Sequence, residues 1–230
     1  MNEEKVAIII FAQTGKQESL SKHIGLDGNG DEMLFDLLNK NIEDLVITTQ
    51  IPYFFISEIN QVGNCFGEKI TNAVLSVFSR GYSNVIVLGN DCPQLKAKHI
   101  RNAFIALGEN KEVIGRDNGG GAYLIGLTKL NFDSKAFQTL NWQTNRLFAG
   151  LFHLLNTGNN IAILPVLYNL NTRAEAKHLL KLLSFTSSFR KQILLILCIF
   201  PSKIQGFEQI CSSILFFYTQ GLRGPPIFVL

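Results

Sequence analysis

Charge of one sign is scarce in this chain. Its 21 basic and 18 acidic residues leave a formal net charge of +3. They are spread along the sequence, so there is no electrostatic footprint for nucleic acid. A phosphorylated small molecule needs only a local cluster and stays open. Paired cysteines are lacking too: Cys65, Cys92, Cys198 and Cys211 form no Cys-x-x-Cys spacing and have no histidines at zinc-ligand spacing. That points to reduced thiols in a cytoplasmic protein. Cys92 follows Asp91, whose carboxylate raises a thiol pKa, and reads as a packing residue rather than a nucleophile. The start, Met1-Asn-Glu-Glu-Lys5, lacks the basic character of a signal peptide. The most apolar run, Ile193 to Phe200, stops at Pro201, far short of the roughly 20 residues that span a bilayer. No internal repeat is visible.

What is present is enough for a domain. With 230 residues and 47% hydrophobic content, the chain can bury one large core and carry a tail. Val85 to Leu95 organises it. Val85 to Leu88 shows no polar alternation, as in a strand buried on both faces of a parallel sheet. Gly89 permits a sharp departure, Pro93 ends the ladder, and Asp91 stands between them at the carboxyl end of the strand. Ligands of open α/β sheets bind at that end. Asp91 suits a hard cation or a hydroxyl there, and equally suits ordinary turn chemistry.

Strands and helices alternate around this run. Val6 to Phe11 predicts a central strand, followed by the polar loop Ala12 to Gln17. Backbone amides of such a loop can cradle phosphate, with Lys16, Lys22 and His23 adding positive charge, or the loop is simply solvated. Asp31 to Asn41 predicts a helix, Leu45 to Thr49 a strand and Tyr53 to Ile56 a short one. The loop Gln61 to Lys69 feeds a helix with Phe66, Ile70, Ala73, Val74, Val77 and Phe78 on one face, ended by Gly81. Ile100, Ala103, Phe104 and Leu107 mark the next helix, stopped by Gly108. Glu112 to Gly115 and Tyr123 to Leu127 predict strands. Gly119-Gly-Gly121 between them fits either a close-bound ligand or a wide bulge. Leu147 to Leu155 predicts a helix closed by Gly158, and Ile161 to Val166 a strand. Thr172 and Glu175 form a capping box for a helix through Leu183. The alternation predicts an α/β layer fold with a mostly parallel sheet. Residues 1–183 form this domain. Residues 184–230, with apolar pieces Ile193 to Phe200 and Ile210 to Tyr218, form a helical extension that covers a sheet edge or makes an oligomer contact.

Four motifs occur in order: Gly89-Asn-Asp-Cys-Pro-Gln-Leu95, Gly120-Gly-Ala-Tyr-Leu-Ile-Gly-Leu127, Trp142-Gln-Thr144 and Tyr168-Asn-Leu-Asn-Thr172. Together they resemble a bacterial family of poorly characterised nucleotide-diphospho-sugar transferase-like proteins, some linked to arsenosugar biosynthesis. The likeness runs from about Val6 to Leu183. It implies a glycosyltransferase A-type fold, with helices on both faces of the sheet, that binds a sugar nucleotide through Mg²⁺ or Mn²⁺. Asp91, Asn169 and Asn171 are then the expected metal ligands. Gly15, Lys16, Gln61, Gly67, Gly120 and Gly121 are the expected nucleotide-binding residues. Three positions depart from the family pattern: the first loop keeps only Lys16 of its basic residues, Gly119 stands in an acidic register, and Asn169 and Asn171 replace an acidic pair.

The resemblance implies a metal-dependent transferase using a nucleotide-activated sugar, chiefly a glycosyltransferase for a small acceptor, with Asp117 as the base. A nucleotidyltransferase and a catalytically degenerate nucleotide-binding relative are the alternatives.

Overall fold

The computed structural model describes residues 5–199 apart from 23, 25, 27, 157–159 and 185. His23, Gly158, the piece Ile210 to Tyr218 and Cys211 lie outside the described residues.

Six strands form one sheet in the order β2-β1-β3-β5-β4-β6. They are β1 (Val6–Phe11), β2 (Tyr53–Ile56), β3 (Asn84–Leu88), β4 (Glu112–Asp117), β5 (Ala122–Thr128) and β6 (Ile161–Leu167). The pairs β1–β2, β1–β3 and β4–β6 are parallel, and β5 runs antiparallel to both of its neighbours. Eight helices are described: α1 (Gly15–Ser21), α2 (Gly28–Ile47), α3 (Phe66–Ser79), α4 (Ala97–Gly108), α5 (Ser134–Gln138), α6 (Leu147–Leu155), α7 (Arg173–Leu182) and α8 (Ser188–Ile199).

β1 and β3 are buried along their whole length, because helices cover both faces of the sheet. Ile8, Ile10, Ile86 and Leu88 point to one face and pack on Ile42 and Val46 of α2 and Ile100 and Leu107 of α4. Ile9, Phe11, Val85 and Val87 point to the other, against Ile70, Val74 and Val77 of α3, Phe137 of α5 and Leu147 and Leu151 of α6. A third cluster lies outside the sheet. Leu34, Phe35 and Leu38 of α2 meet Leu179 of α7 and Ile193, Ile196 and Leu197 of α8. The first apolar piece of the C-terminal region is thus a helix lying on α2 rather than on a sheet edge.

Two local expectations are overturned. Leu45 to Thr49, predicted as a strand, is the end of α2 and its closing turn. Leu34, Leu38, Ile42 and Val46 are buried at a spacing of four, so helical periodicity overrides the β-branched content. The chain then reverses at Gln50, which adopts φ 60. The loop Ala12 to Gln17 is shorter than predicted because α1 starts at Gly15, with Thr14 as its N-cap accepting from the Gln17 amide.

Candidate functional site

A cavity of about 670 Å³ opens at the carboxyl ends of β1 and β3. The chain leaves β1 toward β2 on one side and returns to β3 on the other, so this is the crevice where an α/β sheet takes ligands. Phe66 and Trp142 line an aromatic wall. Their ring centroids are 5.5 Å apart, and Trp142 stacks edge-on to buried Phe137. The opposite side carries Glu18, Lys22, Asp91, Asp117, Asn169, Asn171 and Glu175.

Backbone hydrogen bonds tie the polar loops together. The Leu170 amide donates to the Asp91 carbonyl at 2.8 Å. The two asparagines flanking Leu170 are thereby held beside the end of β3. The Asn118 amide donates to the Leu167 carbonyl, and the Asn169 amide donates to Asn118 Oδ1. The turn after β4 is thus joined to the exit of β6. All four motifs read from the sequence contribute residues to the lining of the cavity.

Asp91 is held on one side only. Lys22 donates to its Oδ2 at 2.9 Å and reaches Glu18 Oε1 at 2.6 Å. Burial opposes the Lys22 charge, but Asp91 and Glu18 outweigh it and raise its pKa above the ordinary value. Burial also pushes the Glu18 carboxyl up, against the pull of Lys22. Asp91 Oδ1 and Asn171 Oδ1, by contrast, are buried oxygens with no donor. Buried acceptors of this kind call for a partner. Asn169 differs, because its Oδ1 accepts from the Cys92 thiol at 2.8 Å. That thiol is pushed well above its ordinary pKa by burial and by Asp91 and Asp117, which agrees with a packing role.

Asp117 ends β4 after an irregularity in the pairing at Gly115/Arg116. Its Oδ1 accepts from the amides of Gly119 and Gly121, both at 2.8 Å. A side chain at Gly121 would collide with the Asp117 carboxylate, and one at Gly120 with the Asn145 backbone. Gly120 also adopts φ +87. The close approach inferred at this glycine turn is therefore made by the protein's own chain. Gly119 and Gly121 line the cavity and Gly120 does not.

The first loop directs its donors elsewhere. Glu58 accepts from the Thr14 amide at 2.8 Å and the Thr14 hydroxyl at 2.5 Å, and Asp36 accepts from the Gly15 amide at 3.0 Å. Gly15 is buried where α1 packs on α2, and Lys16 is exposed. Neither lines the cavity. Gly67 is also outside it, and a side chain there would strike the Gln138 carbonyl. Gln61 does line it. The sequence reading missed Glu18, Lys69, Asn90 and Glu175 as cavity residues. Glu18 and Lys22 are four apart, a pairing visible once α1 is known to be a helix.

Among the described residues no three His, Cys, Asp or Glu side chains are grouped as a ready metal cage. An ion here would rest on Asp91 Oδ1, an asparagine oxygen and oxygens of the ligand. Such a donor set suits Mg²⁺ or Mn²⁺, because Mg²⁺ commonly uses one or two protein oxygens together with substrate phosphates.

Among solved structures the chain is similar to a protein of Desulfovibrio desulfuricans G20 provisionally described as a nucleotide-diphospho-sugar transferase. The TM-score is 0.70 at 17% identity, covering 93% of this chain and 97% of that one. At this identity the likeness is one of fold. Rv0371c of Mycobacterium tuberculosis H37Rv overlaps only loosely, with a TM-score of 0.46 at 11% identity over 79% of this chain and 100% of that one. No curated protein matches the sequence. Residues 17–144, more than half of the chain, match the family of uncharacterized proteins conserved in bacteria designated DUF2064. From its first helix to the Trp142-Gln-Thr144 motif, the chain belongs to the DUF2064 family.

Proposed function

We propose that the chain is a transferase that uses a nucleotide-activated sugar, with the diphosphate bound between Asp91 and the exit of β6. The observation that carries this reading is the pair of donorless oxygens, Asp91 Oδ1 and Asn171 Oδ1, in a cavity that also presents Lys22 and Lys69. The volume of about 670 Å³ lies within the roughly 300–1,000 Å³ range of small-molecule sites.

Asp91 and Asn171 would hold Mg²⁺ or Mn²⁺, with Asn169 orienting the loop between them. Bound there, the ion would neutralise the charge of the diphosphate. Gln61, Phe66 and Trp142 would receive the base and ribose, since aromatic faces and one amide suit a planar heterocycle. Gly119 and Gly121 would shape the wall through their backbone. In glycosyl transfer an acceptor hydroxyl forms a bond to the anomeric carbon as the bond from that carbon to the diphosphate breaks. The hydroxyl proton passes to Asp117, whose Oδ1 is fixed by two amides.

Nucleotidyl transfer is the second reading, favoured by the two lysines. A sugar phosphate would attack the α-phosphate of a nucleoside triphosphate, pyrophosphate would leave, and cations rather than a base would carry the step.

Calorimetric titration of the full chain with nucleoside diphosphates, their sugars and nucleoside triphosphates, with and without Mn²⁺, tests both readings. Binding is expected to need Mn²⁺ and to be lost in Asp91→Ala. Metal-independent binding removes the ion from the reading. Binding without turnover leaves the degenerate nucleotide-binding relative, and no binding at all removes the metal role of Asp91. Release of nucleoside diphosphate or of pyrophosphate on turnover separates glycosyl from nucleotidyl transfer.

A further inference from the structure

Two asparagines that the proposed function leaves without a role fix a hydrogen-bonding polarity inside the cavity. Asn39 of α2 donates from Nδ2 to the Gln13 carbonyl at 2.8 Å. A carbonyl only accepts, so the Asn39 amide is turned with its NH₂ toward Gln13 and its Oδ1 away. That oxygen takes the Asn90 Nδ2 donor, also at 2.8 Å. Because the relay starts at a backbone carbonyl, it settles both amides: Asn90 commits a donor to Asn39 and keeps Oδ1 for another partner. Asn90 is only 7% exposed and lines the cavity. Among the described residues nothing donates to its oxygen. An amide held in this way suits a ligand group that donates and disfavours a phosphate oxygen, which only accepts.

The position of Asn90 in the wall selects the donor. β1 and β3 pair in parallel through Ile10 and Leu88, so Phe11 on one strand and Gly89-Asn90-Asp91 after the other leave that pairing side by side. Phe11 packs edge-on against Phe66 of the aromatic wall, with ring centroids 5.4 Å apart. Asn90 thus has on one side the wall that would take the base and on the other the carboxylate that would take the ion and the diphosphate. In a nucleotide the group joining base and diphosphate is the ribose, whose donors are the 2′- and 3′-hydroxyls. We infer that Asn90 Oδ1 accepts from a ribose hydroxyl, and that Asn39 is the positioning residue that holds the Asn90 amide in this sense. The inference rests on the nucleotide-binding reading above and adds to it how the site recognises the sugar of the nucleotide itself.

The test is calorimetric, on the full chain with Mn²⁺, with ADP, CDP, GDP and UDP each measured beside its 2′-deoxy and 3′-deoxy counterparts. For a nucleotide that binds wild type, removal of one of the two hydroxyls is expected to weaken binding roughly tenfold, because the Asn90 oxygen then lacks its donor. Asn90→Ala is expected to bind the ribonucleotide about as weakly as wild type binds that deoxy form, with no preference between the two. Asn39→Ala, which frees the Asn90 amide to turn its NH₂ to the cavity, is expected to lose most of the preference although Asn90 is present. Wild type that binds all three forms equally overturns the inference without any variant. Asn90→Ala that weakens ribo and deoxy forms by the same factor, keeping the preference, puts the Asn90 oxygen on the ion or the base and overturns it as well. Asn39→Ala with the full preference removes the positioning role. If no nucleoside diphosphate binds wild type, the nucleotide reading falls, and this inference with it.

Discussion

Glu58 grips Thr14 with both carboxylate oxygens, one on the backbone amide and one on the hydroxyl. Burial works against the Glu58 charge, but the Thr14 hydroxyl and amide outweigh it and hold its pKa below the ordinary value of 4.5. A depressed folded-state pKa means that the stabilisation is present above 4.5 and is lost as pH falls through the folded value. Glu58→Gln should cost about 1 kcal/mol near neutral pH, since the pair is solvent-screened. Thermal melts at stepped pH should show wild type and variant converging in acid. A constant gap down to the lowest pH would mean that the charge of Glu58 contributes nothing.

Glu112 behaves in the opposite sense. Its carboxylate is buried and accepts from the Thr128 amide and hydroxyl and from Asn131. Burial outweighs these bonds and raises its pKa above 4.5. A raised folded-state pKa gives stabilisation that is complete below 4.5 and declines as pH rises through the folded value. Glu112→Gln, which keeps one acceptor oxygen, should flatten that decline. Denaturation midpoints of the two proteins across the window above pH 4.5 are the measurement. Parallel curves would remove Glu112 as the source.

For Asp117, position and proton transfer can be separated. Asp117→Asn retains an oxygen for the Gly119 and Gly121 amides, so stability should change by less than about 1 kcal/mol. Turnover of whichever nucleotide sugar binds should fall by roughly 10²–10⁴ if the carboxylate is the base. Asp117→Ala should lose about 2 kcal/mol as well, because two amides then lack their acceptor. An Asn variant with normal turnover would restrict Asp117 to shaping the turn.

Ile193 of α8 is fully buried against α2 and α7. Ile193→Ala should destabilise the whole domain by about 2–5 kcal/mol in a single denaturation transition. A separate minor transition, or a loss under about 0.5 kcal/mol, would instead make residues from 184 onward an independent appendage.

Legibility in the sequence followed the range of the interactions. β1 and β3 were plain because burial on both faces demands unbroken apolar runs, and the capping box at Thr172 and Glu175 is local chemistry that the structure reproduces. Leu45 to Thr49 misled because five residues carry the β-branched signal, whereas the helical period appears only when Leu34, Leu38, Ile42 and Val46 are taken together. The direction of β5 could not be read, since an apolar strand looks the same in either orientation. At the site, Asp91 was visible as a carboxylate at a strand exit, Asp117, Asn169 and Asn171 followed from the family resemblance, and all four line the cavity. What escaped was pairing across distance. Lys22 lies 69 residues from Asp91, and Glu58 lies 44 from Thr14. No local pattern announces which charge a side chain meets after the sheet is assembled. Gly15 and Gly67 were read as ligand contacts, yet each is placed where helices approach closely, a use of glycine with the same local appearance.

The reversed direction of β5 also bears on the order in which the molecule assembles. β4 and β5 are joined by the short turn from Asn118 to Gly121, whereas every other pairing in the sheet unites strands separated by one or more helices. Closing a short loop costs less chain entropy than closing a long one. In pulse-labelled hydrogen exchange, amides of Val113 and Leu124, which face each other's strands in the β4–β5 pair, should therefore gain protection before those of Ile9 and Val87. The Asp117 turn would then be the first part of the cavity to take shape, a local template in place before Asp91 is delivered by its crossover.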